Sequence, residues 1–526
     1  MMNAASRRHS DPARVQANSA AFERGLYMSF SRTLVDFSES FLRGRLRPYL
    51  DILAMGSGVR VFGLIAQFVV LIMLSRFLPK DSFGDLMTAF GFYRLAGVAL
   101  GVGGSLVLLF HVSRHPGDIE AEIKLQRFSS LMGLIPSALI AVAALCLSEP
   151  VAGALGKPSL AVWLQDLAPF LVFSTLLVIS TGALEGRSRI SESIFLGEAA
   201  PNAVRIVLLP LVSVLNLPEA YVAHVLTLSV LAPWLWSSRR MWNRSVRGWQ
   251  AWSGWDYRYC GKFVVSTLFA NQLGAADIVI ASVLFSSETV ADYAVAARLA
   301  ALFTFFQIAL LKRFAPRAGQ LLHVDDHAAL RREVDLCRRL TVACVALTIA
   351  GVLLLAPLLL PLLGNYLGAR GLLTWLAIPS FVQAFYATSD RLLIIAGQAN
   401  VALLLTASSF AVLTTTPFAT AHWLGPLAIA AAMIFSVLAF SPLVAVRTRQ
   451  LLGIQTIEPL DGALMAAGCV VLAGSAMAGS YASTVLACGV LGGIAAYYVV
   501  TLASYSRRAA MTSARDSNLL PDKVSR

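Results

Sequence analysis

ILAMGSGVRVFGLIAQFVVLIML (52–74) and LMTAFGFYRLAGVALGVGGSLVLLF (86–110) are two apolar runs, each interrupted by a single charge, Arg60 in the first and Arg94 in the second. A run that crosses a bilayer as a helix needs about 20 apolar residues, and both have that length. An arginine at mid-span costs roughly 2.5–3.5 kcal/mol on insertion scales, so it faces a wet cavity or a partner rather than lipid. Two such residues in successive spans predict an anion-binding cavity inside a membrane protein.

The rest of the chain agrees with a polytopic, all-α membrane protein. Of its 526 residues 57% are hydrophobic and only 13% charged, against about 25% charged in soluble domains. Fourteen apolar segments are expected near 52–77, 83–111, 128–148, 160–183, 193–215, 218–237, 260–285, 289–311, 338–363, 371–396, 400–420, 423–446, 462–479 and 482–505. The net charge of +13 does not point to nucleic acid, because it concentrates in alternate connections and in the tails. One set of connections carries Arg187, Arg189, Arg239, Arg240, Lys312, Arg313, Arg447 and others, whereas the opposite set holds only Arg76, Lys80, Lys157 and Arg370. By the positive-inside rule both termini are expected in the cytoplasm. The six cysteines have no metal-ligand spacing, and Cys146, Cys344, Cys469 and Cys488, which lie in apolar runs, read as small core residues. Residues 1–20 are polar, so the first span is expected to act as the insertion signal.

This gives an expected domain order. Residues 1–50 form a cytoplasmic tail whose Phe22, Leu26, Phe30, Leu34, Phe37 and Phe41 make one stripe of an interfacial helix. Spans 1–6 form an N-terminal lobe at 51–237, followed by a Trp/Arg-rich interfacial linker at 238–259. Spans 7–12 form a C-terminal lobe at 260–448, spans 13–14 occupy 449–505, and 506–526 is a second cytoplasmic tail. The halves look repeated. LGKPSLAVWLQDLAPFLVFSTLLVISTGALEGRSRIS (155–191) lines up with LGNYLGARGLLTWLAIPSFVQAFYATSDRLLIIAGQANV (363–401), and RFLPKDSFGDLMTAF (76–90) with LFSSETVADYAVAAR (284–298). The offset is near 209 residues and covers six spans, so the repeats insert with the same orientation. Parallel repeats of this kind place a substrate site at their interface.

The candidate chemistry lies inside the spans. Ser57, Arg60, Gly63 and Gln67 share a face of span 1, and Arg94 lies among Gly91, Gly97, Gly101 and Gly104 of span 2, where small residues permit close helix approach. Arg298 stands among alanines of span 8. A guanidinium is permanently charged and forks onto phosphate oxygens, so Arg60, Arg94 and Arg298 together suit a diphosphate. Asp277 in span 7, near Thr267 and Asn271, and Asp390 in span 10 are candidate proton or cation sites. In span 5, Glu198, Asn202 and Arg205 share a face and read most simply as a local Glu198–Arg205 pair bridged by Asn202. The histidine pairs His111/His115 and His323/His327 lack a third ligand, so no metal is expected, and no nucleotide or hydrolase motif occurs in a suitable context.

RFLPKDSFG (76–84), SETVADYAVAARLAAL (287–302) and LLIIAGQAN (392–400) resemble the multidrug/oligosaccharidyl-lipid/polysaccharide (MOP, MATE-like) superfamily, and within it the Wzx-type polysaccharide or O-antigen flippases, over about residues 50–505. The resemblance implies two six-helix lobes in a V around a cationic cavity plus two C-terminal helices, in a protein of the bacterial inner membrane that is not an enzyme. It implies a polyprenyl-diphosphate-linked glycan as cargo, its headgroup crossing through the cavity while the tail stays in lipid. Arg60, Arg94 and Arg298 match the positions of cavity arginines in relatives, Ser57 and Gln67 join them as candidates on the face of Arg60, and Asp277, Asp390 and Thr406 are the nearest matches to a cation site of some relatives. No cofactor is implied beyond coupling to a proton or sodium gradient. The expected partners are membrane lipids and polysaccharide polymerase or export machinery, with the chain itself a monomer. A lipid II flippase and a cation-coupled drug antiporter remain alternatives, the latter disfavoured by an excess of arginine over acid. A membrane polymerase or ligase would need sizeable outer loops, and the outer connections are short.

Overall fold

The computed structural model describes residues 57–114, 118–187, 189–243, 248–249, 261, 265, 275–366 and 368–518. The interfacial helix expected at 22–41, most of the 238–259 linker, and Thr267, Asn271 and His115 lie outside the described residues, as do the side chains of Ser57 and Arg60. Residues Met55–Tyr498 form one compact unit. A second unit comprises 1–54 and 499–526, and its described part, 499–518, is helical.

The described residues are almost wholly helical. In the first half α1 (Ser57–Phe77), α2 (Lys80–Arg114), α3 (Ile119–Ala154), α4 (Pro158–Asp166) with α5 (Ala168–Gly186), α6 (Ile190–Ile194) running through a π-turn at Phe195–Ala199 into α7 (Ala200–Val214), and α8 (Ala220–Asn243) correspond to spans 1–6. In the second half α9 (Asp277–Leu284), α10 (Ser287–Ala300) with α11 (Phe305–His323), α12 (His327–Leu363), α13 (Gly368–Ile395), α14 (Ala399–Leu424) and α15 (Leu427–Leu452) follow spans 7–12. Then come α16 (Pro459–Ala478) and α17 (Tyr481–Asn518). Ten described helices are long and apolar enough to cross a membrane, eleven if the bent pair α10–α11 counts as one. The expected fourteen differ for physical reasons. The apolar part of α1 is the shorter Val61–Phe77, the centre of α13 mixes its apolar residues with Thr374, Ser380, Gln383 and Tyr386, and span 7 is described mainly at its end. Large apolar side chains such as Leu139, Val207, Leu358 and Val470 remain 65–70% exposed, as a lipid-facing surface requires.

Helix starts follow local sequence. Asp118 accepts from the Ala121 amide at 3.0 Å and Asp326 from the Ala329 amide at 2.9 Å, ordinary N-cap bonds. Glu458 and Asp461 form a capping box with Pro459 in the first turn of α16. The buried Arg338 guanidinium of α12 pairs with Asp335 and with Asp461, whose other oxygen accepts from Tyr498 at 2.5 Å. Gly468 meanwhile lies against the Phe381 ring. Helices α16 and α17 are thereby anchored on α12 and α13.

The glycines of α2 allow a tight crossing with α5, as small residues in apolar helices do. A Cβ at Gly97 would come within 2.6 Å of Ser174 Oγ, and one at Gly101 within 2.9 Å of the Thr175 carbonyl. The approach is closest at Gly182, where a Cβ would stand 2.4 Å from the Ser105 carbonyl oxygen. Backbone cannot yield there. Gly182→Leu is therefore expected to separate α2 from α5 and to cost at least the 1–3 kcal/mol typical of overpacking. The expected readout is a lower melting temperature and less monodisperse protein after detergent extraction.

Candidate functional site

On α2 the residues Met87, Phe90, Arg94 and Val98 recur at helical spacing and line a cavity of about 590 Å³, a volume in the range of small-ligand sites. Its other walls come from α1 (Gly63, Gln67, Leu71), α5 (Ser174, Thr181), the α6–α7 span (Gly197, Glu198, Arg205) and the α10–α11 bend (Arg298, Leu302, Phe305). Arg94 stands 14 residues into the 30-residue span Lys80–Leu109, or about 21 Å from its start at 1.5 Å per residue. The guanidinium is thus at mid-depth, and it remains solvent-accessible because its surface faces the chamber.

Two further arginines meet it there. Arg298 lies at the break between α10 and α11, which bend by 46°. The chain crosses that break through i→i−3 bonds, Leu302 N to Leu299 O at 3.1 Å and Phe303 N to Ala300 O at 3.0 Å. Broken helices mark substrate sites in transporters because they aim irregular backbone and side chains into a cavity. Arg205 is 9% exposed. Its Nε donates to Ser229 Oγ at 2.9 Å and its Nη1 to Asn202 Oδ1 at 3.1 Å. Both guanidinium carbons lie 5.5 Å from the centroid of the same ring, Phe90. Each contact contributes about 0.5–2 kcal/mol, and the ring keeps two like charges in one place. Arg94, Arg205 and Arg298 lie within Coulombic reach of one another. Glu198 is the acid that bears most on Arg94, and Asp277 bears on both Arg94 and Arg298.

Of the residues the sequence nominated for cargo, Gln67, Arg94 and Arg298 line the chamber together. The side chains of Ser57 and Arg60 fall outside the described residues, although both positions lie in the first turn of α1. Arg205, read from sequence as half of a local ion pair, is a chamber residue instead. Asn202 holds it by its amide oxygen and gives its NH₂ to the Glu198 backbone carbonyl at 2.9 Å, rather than bridging to the carboxylate. The signal that would have found it is the same as for Arg94, a lone cation inside an apolar run. Phe90 gives no such signal, since an aromatic residue in a span is unexceptional.

The nominated ion site is more dispersed. Asp277 is fully buried, accepts from Tyr293 Oη at 2.8 Å and from the Ile278 amide at 2.9 Å, and is not among the residues that line the chamber. Asp390 is solvent-accessible beside Arg391. The Thr406 hydroxyl donates to its own helix at Ala402 O, 2.8 Å away.

At the end of the bundle that holds Lys157, the halves are joined by bonds exchanged between equivalent positions. Lys80 and Ser287 are the first residues of α2 and α10, and Asp85 and Asp292 the sixth. Lys80 Nζ meets Asp292 Oδ2 at 2.9 Å, while Ser287 Oγ donates to Asp85 Oδ1 at 2.5 Å. Lys157 Nζ donates to the Ser282 carbonyl at 2.6 Å, and Tyr366 Oη to the Ser75 carbonyl at 3.4 Å. Arg76 adds bonds to the carbonyls of Leu362 and Pro361 at 2.6 and 3.1 Å. Burial holds the Lys157 ammonium below the usual lysine range, and Asp85 partly offsets this. Three of the four basic residues of the sparse side, Arg76, Lys80 and Lys157, thus take part in this clasp.

Comparison with protein-family models and with curated proteins returns no match. Solved structures do match in fold. A multidrug resistance MATE family transporter of the MOP superfamily in its inward-facing conformation superposes with a TM-score of 0.60 at 14% identity, covering 74% of this chain and 95% of that one. The outward-facing conformation of such a transporter gives 0.58 at 15% identity, covering 78% and 97%. A MOP superfamily transporter from Pyrococcus furiosus, described as having a binding pocket of reverse polarity that suggests a different function, gives 0.57 at 16% identity, covering 78% and 97%. The chain has a MATE-like fold, and these neighbours are membrane transporters.

Proposed function

We propose that the protein is a flippase for a polyprenyl-diphosphate-linked oligosaccharide, moving its headgroup from the inner to the outer leaflet of the bacterial cytoplasmic membrane for surface polysaccharide synthesis. The observation that carries this reading is the convergence of Arg94, Arg205 and Arg298 on one mid-depth chamber. Fixed guanidinium groups bind phosphate oxygens bidentately, while Gln67, Ser174, Thr181 and Asn202 offer hydroxyl and amide partners to sugars. With the basic connections placed in the cytoplasm, the clasp lies at the outer face and the chamber, which reaches Glu185 and Lys312, opens inward. The state is then the loading state of an alternating-access cycle. Cargo binding followed by rupture of the clasp completes the crossing.

The test is reconstitution into vesicles carrying polyprenyl-diphosphate sugars, scoring protein-dependent appearance of headgroups in the far leaflet. Lipid II and a cationic dye serve as parallel cargoes. Flipping of the lipid-linked oligosaccharide but not of the dye is expected. Preference for lipid II or for the dye would transfer the function to a peptidoglycan-precursor flippase or to a drug antiporter.

Asp277, with Asp390 and Thr406 as weaker candidates, is assigned to coupling with a proton or sodium gradient, because a buried intramembrane carboxylate within reach of two chamber arginines responds to the charge there. Asp277→Asn is expected to remove most of the stimulation by an imposed gradient while leaving gradient-free flipping measurable. Equal stimulation of variant and wild type would refute the assignment.

A further inference from the structure

Glu198 places an acid on the wall of a chamber that three arginines line, in a span whose helix widens at Phe195–Ala199. The lining positions of that span are Ser193, Ile194, Gly197, Glu198, Pro201, Asn202 and Arg205, two rows with a step of four. An α-helix turns by about 100° per residue, so twelve residues from Ser193 to Arg205 would leave the ends about 120° apart. The π-turn Phe195–Ala199 absorbs this mismatch, as single wide turns at functional sites do. It keeps Ser193 and Arg205 on one wall, while Glu198 and Arg205, seven residues apart, share a face by ordinary helical spacing, and Asn202 ties the two by bonding the Glu198 carbonyl and the Arg205 guanidinium. The Glu198 carboxylate is solvent-accessible toward the chamber, and of the acids it bears most strongly on Arg94.

We propose that Glu198 is the resident counter-ion of the chamber: its carboxylate neutralises Arg94 while the chamber is empty, and a phosphate of the cargo takes its place. This rests on the anion-cargo reading above. Three guanidinium groups at bilayer depth repel one another and would hold a diphosphate too firmly to release it. A transport site must bind strongly enough to load and weakly enough to unload. An acid tethered beside Arg94 raises the energy of the bound state by competing for the same cation, and it re-forms its pair as cargo departs. Glu198 therefore sets the rate of release more than the choice of cargo.

The experiment uses the full chain in lipid nanodiscs, with inorganic pyrophosphate as the binding probe and vesicle flipping as the rate assay. Glu198→Gln is expected to bind pyrophosphate about tenfold more tightly and to flip cargo about tenfold more slowly, whereas Glu198→Asp, which keeps the charge on a shorter arm, is expected to fall between the two proteins in both measurements. Wild-type affinity in Glu198→Gln, with pyrophosphate bound by both proteins, overturns the counter-ion role alone. Failure of the wild type to bind pyrophosphate overturns the anion reading itself. Should the glutamine variant not assemble, infrared difference spectra of the wild type give the answer, since pyrophosphate must shift a carboxylate band when it displaces Glu198 and an unchanged band overturns the proposal.

Discussion

Arg94→Ala is expected to reduce flipping by at least 30-fold while the protein still inserts and elutes as a single species. The guanidinium is solvent-accessible inside the chamber rather than packed in the core, so truncation leaves no cavity in the fold. What it removes is one of three cations that converge on the chamber. Once a bound phosphate displaces water from the chamber, truncating one side of the charge pair costs about 2–5 kcal/mol, and 1.4 kcal/mol is a factor of ten. Arg205 and Arg298 remain stacked on Phe90, so they hold their places and the loss isolates Arg94. Arg94→Lys is expected to recover only part of the activity, since an ammonium keeps the charge but not the fork. Vesicle flipping measures the effect, and wild-type rates in Arg94→Ala would remove the phosphate clamp from the mechanism.

Gly84→Ala is expected to keep the clasp from closing. A Cβ at Gly84 would stand 1.9 Å from the Ser287 carbonyl oxygen and 2.7 Å from its carbon. Both are backbone atoms, and they belong to the residue whose hydroxyl reaches Asp85. One methyl group thus forces α2 and α10 apart at the point where the halves touch. Within each half nothing need unfold, so the expected product is a folded protein held open at the clasp end. A cysteine introduced at Val98, on the chamber wall, reports the change. An impermeant thiol reagent added from the outer side is expected to label Gly84→Ala at least tenfold faster than the parent, with flipping lost because the cycle stalls. Unaltered labelling would mean that this crossing does not control access.

The class of the fold was legible because its cause is local. Apolar runs of fixed length admit only helices, and mid-span charges must turn inward. Arg94, Arg298 and Gln67 were recognisable on those grounds. Arg205 was obscured by a nearby acid at helical spacing, which offers a cheaper local explanation than a shared chamber. The π-turn was not legible, because one extra residue in a helical turn leaves no mark on composition. The bend after Arg298 was equally hidden, since ALFTF (301–305) contains neither proline nor glycine. The clasp was the least visible feature. Lys80 and Asp292 lie 212 residues apart, and each reads in isolation as a solvated charge at a span end. Only the repeat carried a trace of their relation, and its alignment of 76–90 with 284–298 is one residue out of the register that the clasp uses.

That relation has a consequence for ancestry. Asp85 and Asp292 are 207 residues apart in sequence, as are Lys80 and Ser287, and the bonds run crosswise between them. Residue i of one copy touching j of the other, with j touching i in return, is the signature of an isologous contact between identical subunits. A single six-span progenitor could therefore have sealed its own homodimer with one aspartate and one donor used twice. The two donors differ, an ammonium on one side and a hydroxyl on the other, so the latches of this pseudo-symmetric door are unequal.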